Sequence, residues 1–212
     1  MSKKSFLKML TLFIIFSCIG VIAYYLPYER ITEKIGILKK ISINTQLSIS
    51  FKNGSGEIYI DDKKYGTTPQ TINNLKPGLH KLKIQREVTT EQNFYKPFET
   101  YVPVSNHTET YVNIEIGPEG LYSGYIIYYE PAPTNKSGLI KIKSSINNLH
   151  ASLGDRNLQQ ENGLISLKAG EYKIKFSAEG YEPIEIPVIV RDGLTLVVDV
   201  NLLPIPINLT QN

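Results

Sequence analysis

The stretch LKPGLHKLKI at residues 75–84 returns, with small changes, as LKAGEYKIKF at residues 167–176. Side chains alternate between the two faces of a β-strand, so every second residue of each stretch is expected in a core and the lysines between them in solvent. The residues expected to face inward are His80, Leu82 and Ile84 in the first stretch and Tyr172, Ile174 and Phe176 in the second. Within each stretch a glycine turn, Pro77-Gly78 or Ala169-Gly170, precedes the strand. The pair therefore predicts two equivalent strands.

The repetition extends well beyond these ten residues. YKPFE at 95–99 matches YEPIE at 181–185, and VNIEI at 112–116 matches VDVNL at 198–202, in both cases 86 positions apart. Each copy is a series of short alternating runs broken by Gly, Pro, Asn and Asp, which is typical of small antiparallel sandwiches. The sequence thus predicts an all-β fold of two antiparallel β-sandwich domains in tandem, of the Ig or prealbumin-like type, behind one N-terminal transmembrane helix.

The N-terminal segment has the properties of a membrane anchor. Residues 9–26 contain no charged side chain, and eighteen helical residues span about 27 Å, close to the thickness of the hydrocarbon core. Lys3, Lys4 and Lys8 precede the run, which favours a cytoplasmic N-terminus and C-terminal domains outside the cell membrane. A cleaved signal peptide and lipidation at Cys18 are the alternatives. The expected partner of this segment is the lipid bilayer.

These observations predict a division of the chain into seven parts. The predicted parts are a cytoplasmic N-terminus at 1–8, a transmembrane helix at 9–26, a juxtamembrane linker at 27–46, a first β domain at 47–117, an inter-domain strand and linker at 118–138, a second, divergent β domain at 139–204, and a C-terminal tail at 205–212.

The distribution of charge argues against nucleic-acid binding. The formal net charge is +3, but residues 1–40 hold seven basic and two acidic residues, whereas the rest of the chain holds sixteen basic and eighteen acidic ones. The positive charge therefore belongs to the N-terminus, and the body has no basic stretch of the kind that binds phosphates.

Residues that carry chemistry are few. His80, His107 and His150 have no histidine partner at metal-ligand spacing, and Asp61-Asp62, followed at once by two lysines, is interpreted as a turn. No catalytic, metal-binding or cofactor-binding residue is therefore predicted, and no cofactor is expected. Tyrosines in the inter-domain strand are candidate ligand-binding residues if their rings are exposed. These candidates are Tyr122, Tyr125, Tyr128 and Tyr129.

The first copy also resembles a known family. GEIYIDDKKYGTTPQTINNLKPGLHKLKI, residues 56–84, is similar to the PEGA domain in its strand, Asp-containing turn, G-x-T-P element and L-x-P-G-x-H. The second copy is similar in residues 167–193 but has LQQENG in place of the G-x-T-P element. The resemblance implies a sandwich-like protein of the cell surface or envelope without catalytic residues.

The expected function follows from the anchor and the resemblance. We expect a non-catalytic, membrane-anchored extracytoplasmic protein whose tandem β domains serve a structural or interaction role at the cell envelope, with envelope proteins or polysaccharide as partners. The alternative is a cell-surface glycan-binding module that uses exposed tyrosines, and the remote alternative is an envelope enzyme.

Overall fold

The computed structural model describes residues 44–87, 94–133 and 138–206. The predicted membrane anchor, with Cys18 and the orientation inferred for it, lies outside the described residues and stays a prediction. Among the described residues, no helix is long and apolar enough to span a bilayer. The described residues form strands and a single 3-10 turn at Pro118–Gly120. The prediction of an all-β body is confirmed.

The described residues form fifteen strands in chain order. They are β1 (Gln46–Phe51), β2 (Gly56–Ile60), β3 (Lys63–Thr67), β4 (Gln70–Asn73), β5 (Gly78–Arg86), β6 (Phe98–Val104), β7 (Glu109–Ile116), β8 (Tyr122–Pro131), β9 (Leu139–Lys143), β10 (His150–Leu153), β11 (Arg156–Asn157), β12 (Ile165–Ser166), β13 (Gly170–Ser177), β14 (Ile184–Val190) and β15 (Leu194–Asn201).

These strands assemble into three sheets. The long sheet has seven strands in the order β12-β9-β15-β8-β7-β1-β4. The first short sheet has the order β3-β2-β5-β6, and the second short sheet has the order β11-β10-β13-β14. The two strands that the repeated stretch predicts, β5 and β13, occupy the same position in the two short sheets. The predicted equivalence of the two copies is confirmed at these strands.

The equivalence extends to every strand of the copies, because β1 to β7 recur in the same pairing pattern as β9 to β15. One expectation needs correction. The copies are not purely antiparallel, since β1 pairs in parallel with β7 and β9 pairs in parallel with β15. These are the first and last strands of each copy, and the chain between them crosses to the short sheet and back, which provides the long connection that parallel neighbours need.

Strand β8 joins the two copies into one sheet. It pairs antiparallel with β7 of the first copy along one edge and with β15 of the second copy along the other. Seven consecutive residues, 123 to 129, are buried. A strand covered on both faces has no polar alternation, which is why this stretch reads GYIIYY. The inter-domain strand is therefore a central strand of the long sheet.

The two short sheets cover opposite faces of the long sheet. Ile126 and Tyr128 of β8 belong to the core shared with the first short sheet. Tyr125, Ile127 and Tyr129 alternate with them and belong to the core shared with the second short sheet. Because neighbouring side chains of a strand point in opposite directions, the two cores lie on opposite sides of β8.

The inward residues of the repeated stretch behave largely as the alternation predicts. Leu82, Ile84, Ile174 and Phe176 are completely buried. His80 and its counterpart at position 172 are only half-buried, because both lie near the start of their strands, where the core ends. Their rings take part in hydrogen bonds instead.

Candidate functional site

His80 forms hydrogen bonds with two turns of the first short sheet. Its Nδ1 lies 2.7 Å from Oδ2 of Asp61 and its Nε2 lies 2.6 Å from the carbonyl oxygen of Lys76. The second carboxylate oxygen of Asp61 accepts the backbone N–H of Lys81 at 3.0 Å. Asp61 and Asp62 both have positive φ, 49° and 64°, as a two-residue hairpin turn requires. The Asp61-Asp62 pair is thus a turn, and its carboxylate is used internally.

The second copy uses a different ring for the same purpose. The hydroxyl of Tyr172 donates to the carbonyl of Lys168 at 2.9 Å, and these two positions correspond to His80 and Lys76. Each ring therefore holds the turn that precedes its strand. A polar residue that recurs with a structural task in both copies is not a candidate for chemistry.

Protonation strengthens the contacts of His80, since both ring nitrogens face acceptors. Burial lowers the pKa of His80, but the hydrogen bonds to Lys76 and Asp61 outweigh it, so the pKa lies above its ordinary value. The hydrogen bond from His80, followed by that from the Lys81 backbone, holds the pKa of Asp61 below its ordinary value. The histidine contribution is complete below about pH 6.5 and is lost as pH rises through the raised pKa. The aspartate contribution is present above about pH 4 and is lost as pH falls.

We expect His80→Ala to lower the free energy of unfolding by about 1 kcal/mol near pH 5.5, because it removes both hydrogen bonds of the ring. The loss is small for a charged hydrogen bond because the carboxylate of Asp61 is exposed to solvent. This loss should shrink at pH 8.5. His80→Tyr is the matched control, since it installs the ring of the second copy without a group that titrates in this range. Urea unfolding at both pH values measures the effect. Identical pH profiles for the wild type and His80→Tyr would contradict the assignment.

The other two histidines lie apart from His80. His107 has a φ of 60° and its backbone N–H donates to the carbonyl of Asn44, so it is a turn residue. His150 is exposed at the start of β10. Within residues 44–87, 94–133 and 138–206, no group of three or more His, Cys, Asp or Glu side chains is arranged to hold a metal ion.

The four candidate tyrosines do not form an exposed cluster, so the condition under which they would bind a ligand is not met for the set. Tyr125, Tyr128 and Tyr129 are each less than a tenth exposed, and Tyr122 is 36% exposed. The reason is that cores cover both faces of β8. Tyr128 points toward the first core, where its hydroxyl oxygen accepts a hydrogen bond from Lys143. Tyr122 packs edge-on against Phe98.

An open groove nevertheless reaches two of these tyrosines. It has a volume of about 620 Å³ and lies between the long sheet, at β7 and β8, and the edge strand β14. Tyr125 and Tyr129 form part of its lining, together with Tyr111 of β7 and Ile189 of β14. The rings of Tyr111 and Tyr125 are stacked, with centroids 6.4 Å apart and planes 14° apart. Tyr111 is 38% exposed and presents its ring to solvent.

The groove has charged groups of both signs along its border: Glu109, Glu171, Lys173 and Arg191. The guanidinium of Arg191 lies 5.0 Å from the ring centroid of Tyr129, a cation–π distance. Burial raises the pKa of the Tyr125 and Tyr129 hydroxyls. Both phenols are therefore neutral near pH 7, and the charge at this site comes from its border.

A second, smaller depression shares Tyr111 with the groove. It has a volume of about 210 Å³, and Tyr111 lies on the wall between the two. Its other lining residues are largely polar, namely Ser48, Ile49, Ser50, Pro69, Gln70 and Thr71. Ser48 donates to Glu109 at 2.6 Å and lies 3.2 Å from the hydroxyl of Thr71. One exposed aromatic ring is thus flanked by an aromatic groove and by a surface of hydroxyl and amide groups.

The strand edge beside the groove is poorly suited to pairing with another strand. Among the described strands β14 pairs with β13 alone, and Pro187 in its middle lacks a backbone donor. The hydroxyl of Tyr129 donates to the carbonyl of Ile189 at 2.7 Å. At the corresponding position of β6, the Thr110 hydroxyl donates to the carbonyl of Pro103 at 2.6 Å. Edge carbonyls in both copies are therefore already bound, which protects the edges from association.

Sequence reasoning missed Tyr111, Ile189 and Arg191. A signal existed in the alignment of the copies, because Val197 is the counterpart of Tyr111 at the offset of 86. Val197 is fully buried, whereas Tyr111 is exposed. A large aromatic ring in the place of a buried valine indicates that the two equivalent faces of the long sheet differ.

The structure thus defines an all-β protein built from two topologically equivalent repeats, with an aromatic groove between them. Residues 41–119 match the family model of the PEGA domain. The match comprises the first repeat, so these residues are similar to the PEGA domain. A comparison with curated proteins found no match.

Proposed function

We propose that this chain is a non-catalytic, membrane-anchored extracytoplasmic protein that presents two PEGA-like sandwich domains as an interaction module at the cell envelope. The observation that carries the proposal is the uncharged run of residues 9–26 behind three lysines. Such a run favours membrane insertion with the positive end in the cytoplasm. The β body that follows would then lie outside the membrane.

The polar groups of the body support an interaction role over a catalytic one. The ring at position 80 and its counterpart at position 172 bind backbone carbonyls of their own turns. The carboxylate of Asp61 is bound by His80 and by a backbone N–H. The groove, in contrast, has stacked aromatic rings and a border of mixed charge, which suits binding.

Cysteine labelling tests the topology directly. Cys18 is the single cysteine of the chain, so a Cys18→Ala background can carry one new cysteine at a time. We expect a membrane-impermeant maleimide to label Asp155→Cys, which lies in the exposed turn between β10 and β11, in intact cells. Ser2→Cys should be labelled only after lysis. The reverse pattern would contradict the orientation, and recovery of both variants in the soluble fraction would contradict the anchor.

A further inference from the structure

We propose that the groove of Tyr111 binds a neutral oligosaccharide, with the ring of Tyr111 as the platform for a sugar ring. This inference rests on the proposed function for its setting, since it gives the extracytoplasmic module a ligand class. It assigns the binding to residues of both repeats, since three of the four candidate tyrosines in β8 are buried.

The exposed ring supplies the first argument. Tyr111 is held by its stacking on Tyr125, whose ring is largely buried, so the platform is fixed before a ligand arrives. Preorganisation lowers the entropic cost of binding. An aromatic side chain with one apolar face and a polar tip can contact both the C–H face and the hydroxyls of a pyranose.

The charge of the border supplies the second argument. Two carboxylates, Glu109 and Glu171, are balanced by Lys173 and Arg191. A site with equal numbers of acidic and basic groups favours neither an anion nor a cation. It offers both acceptors and donors, as a neutral ligand with many hydroxyl groups requires.

The size and continuity of the site supply the third argument. The groove of about 620 Å³ falls within the range of small-molecule sites, about 300–1,000 Å³. The polar depression on the other side of Tyr111 extends it by about 210 Å³. A ligand longer than one sugar ring would pass over Tyr111 and reach the hydroxyls of Ser50 and Thr71.

An added peptide strand is the less suitable occupant. Pro187 removes one donor from the free edge of β14, and the Tyr129 hydroxyl already binds the carbonyl of Ile189. Strand addition gains its affinity from backbone hydrogen bonds. Fewer free backbone groups are available for such bonds along this edge of β14.

The test uses the full-length chain in a zwitterionic detergent, because a sugar-headed detergent would itself occupy the site. Isothermal titration is carried out with tetrasaccharides of β-1,4-linked glucose, α-1,4-linked glucose and β-1,4-linked N-acetylglucosamine, and with tetragalacturonate as the anionic probe. We expect at least one neutral probe to bind saturably. Tyr111→Ala should weaken that binding at least about tenfold, as for a central aromatic contact.

Two variants control for the fold and the location. Tyr111→Phe keeps the ring and should bind within about twofold of the wild type, which separates loss of the platform from loss of the fold. Tyr101→Ala removes a ring on β6 that is 64% exposed and outside the groove lining, and it should leave binding unchanged. The proposal is overturned if no neutral probe binds up to about 10 mM, if Tyr111→Ala binds normally, or if tetragalacturonate alone binds. None of these results affects the topology test, so the two proposals fail separately.

Discussion

Replacing Gly124 with alanine should destabilise the protein by about 3–5 kcal/mol, from overpacking and backbone strain together. Gly124 lies in β8 with a φ of 131°, a conformation that other residues rarely adopt. An added Cβ would lie 2.0 Å from the carbonyl oxygen of Asn113, in the backbone of β7. The backbone of a paired strand cannot move aside as a flexible side chain does, so the contact between β7 and β8 must open.

Gly78→Ala is the matched control for this substitution. Gly78 has a similar φ, 147°, but nothing lies within 4 Å of its added Cβ. Its cost should therefore be the backbone strain alone, about 1–3 kcal/mol. Urea unfolding of residues 41–212, followed by far-UV circular dichroism, compares the two variants. The comparison requires that both variants have the same m-value. Costs within about 0.5 kcal/mol of one another would contradict a steric role for the close approach.

Replacing Phe176 with alanine should lower the stability of both repeats together, by about 3–5 kcal/mol. Phe176 is completely buried in the second core. The same core takes Tyr125, Ile127 and Tyr129 from β8, and β8 contributes its alternate residues to the first core. Loss of the second core therefore removes the support of a strand that the first core needs.

Ile84 is the counterpart of Phe176 in the first repeat and is also fully buried. Ile84→Ala should cost about 2–5 kcal/mol and should act on both repeats in the same way. Hydrogen exchange resolved by peptide measures the opening of each repeat under both substitutions. Two separate transitions, with Phe176→Ala shifting only the peptides of the second repeat, would show that the repeats unfold independently.

The difference between β5 and β8 shows what the sequence can and cannot predict. The alternation in LHKLKI predicts a strand and its inward face, because a half-buried strand has a period of two. GYIIYY also predicts a strand, but an uninterrupted apolar run has no period from which its neighbours can be inferred. The partners of β8 come from both repeats: β7 and β15 pair with its two edges, and the two cores cover its two faces.

The groove depends even more strongly on distant parts of the chain. Tyr111 comes from the last strand of the first repeat, whereas Ile189 and Arg191 follow about 80 positions later. No local motif connects them. Their proximity results from the shared long sheet, which places the exposed face of β7 beside the edge strand of the second repeat.

The position of β8 also bears on how the gene of such a protein can recombine. The recognised domain ends at residue 119, before this strand begins. A gene fragment that ended there would encode a repeat with β7 as an open margin, and a fragment that began after Pro131 would leave β15 in the same condition. We therefore expect recombination to preserve folding best when it transfers both repeats together with β8, even though each repeat has the complete strand order of the other.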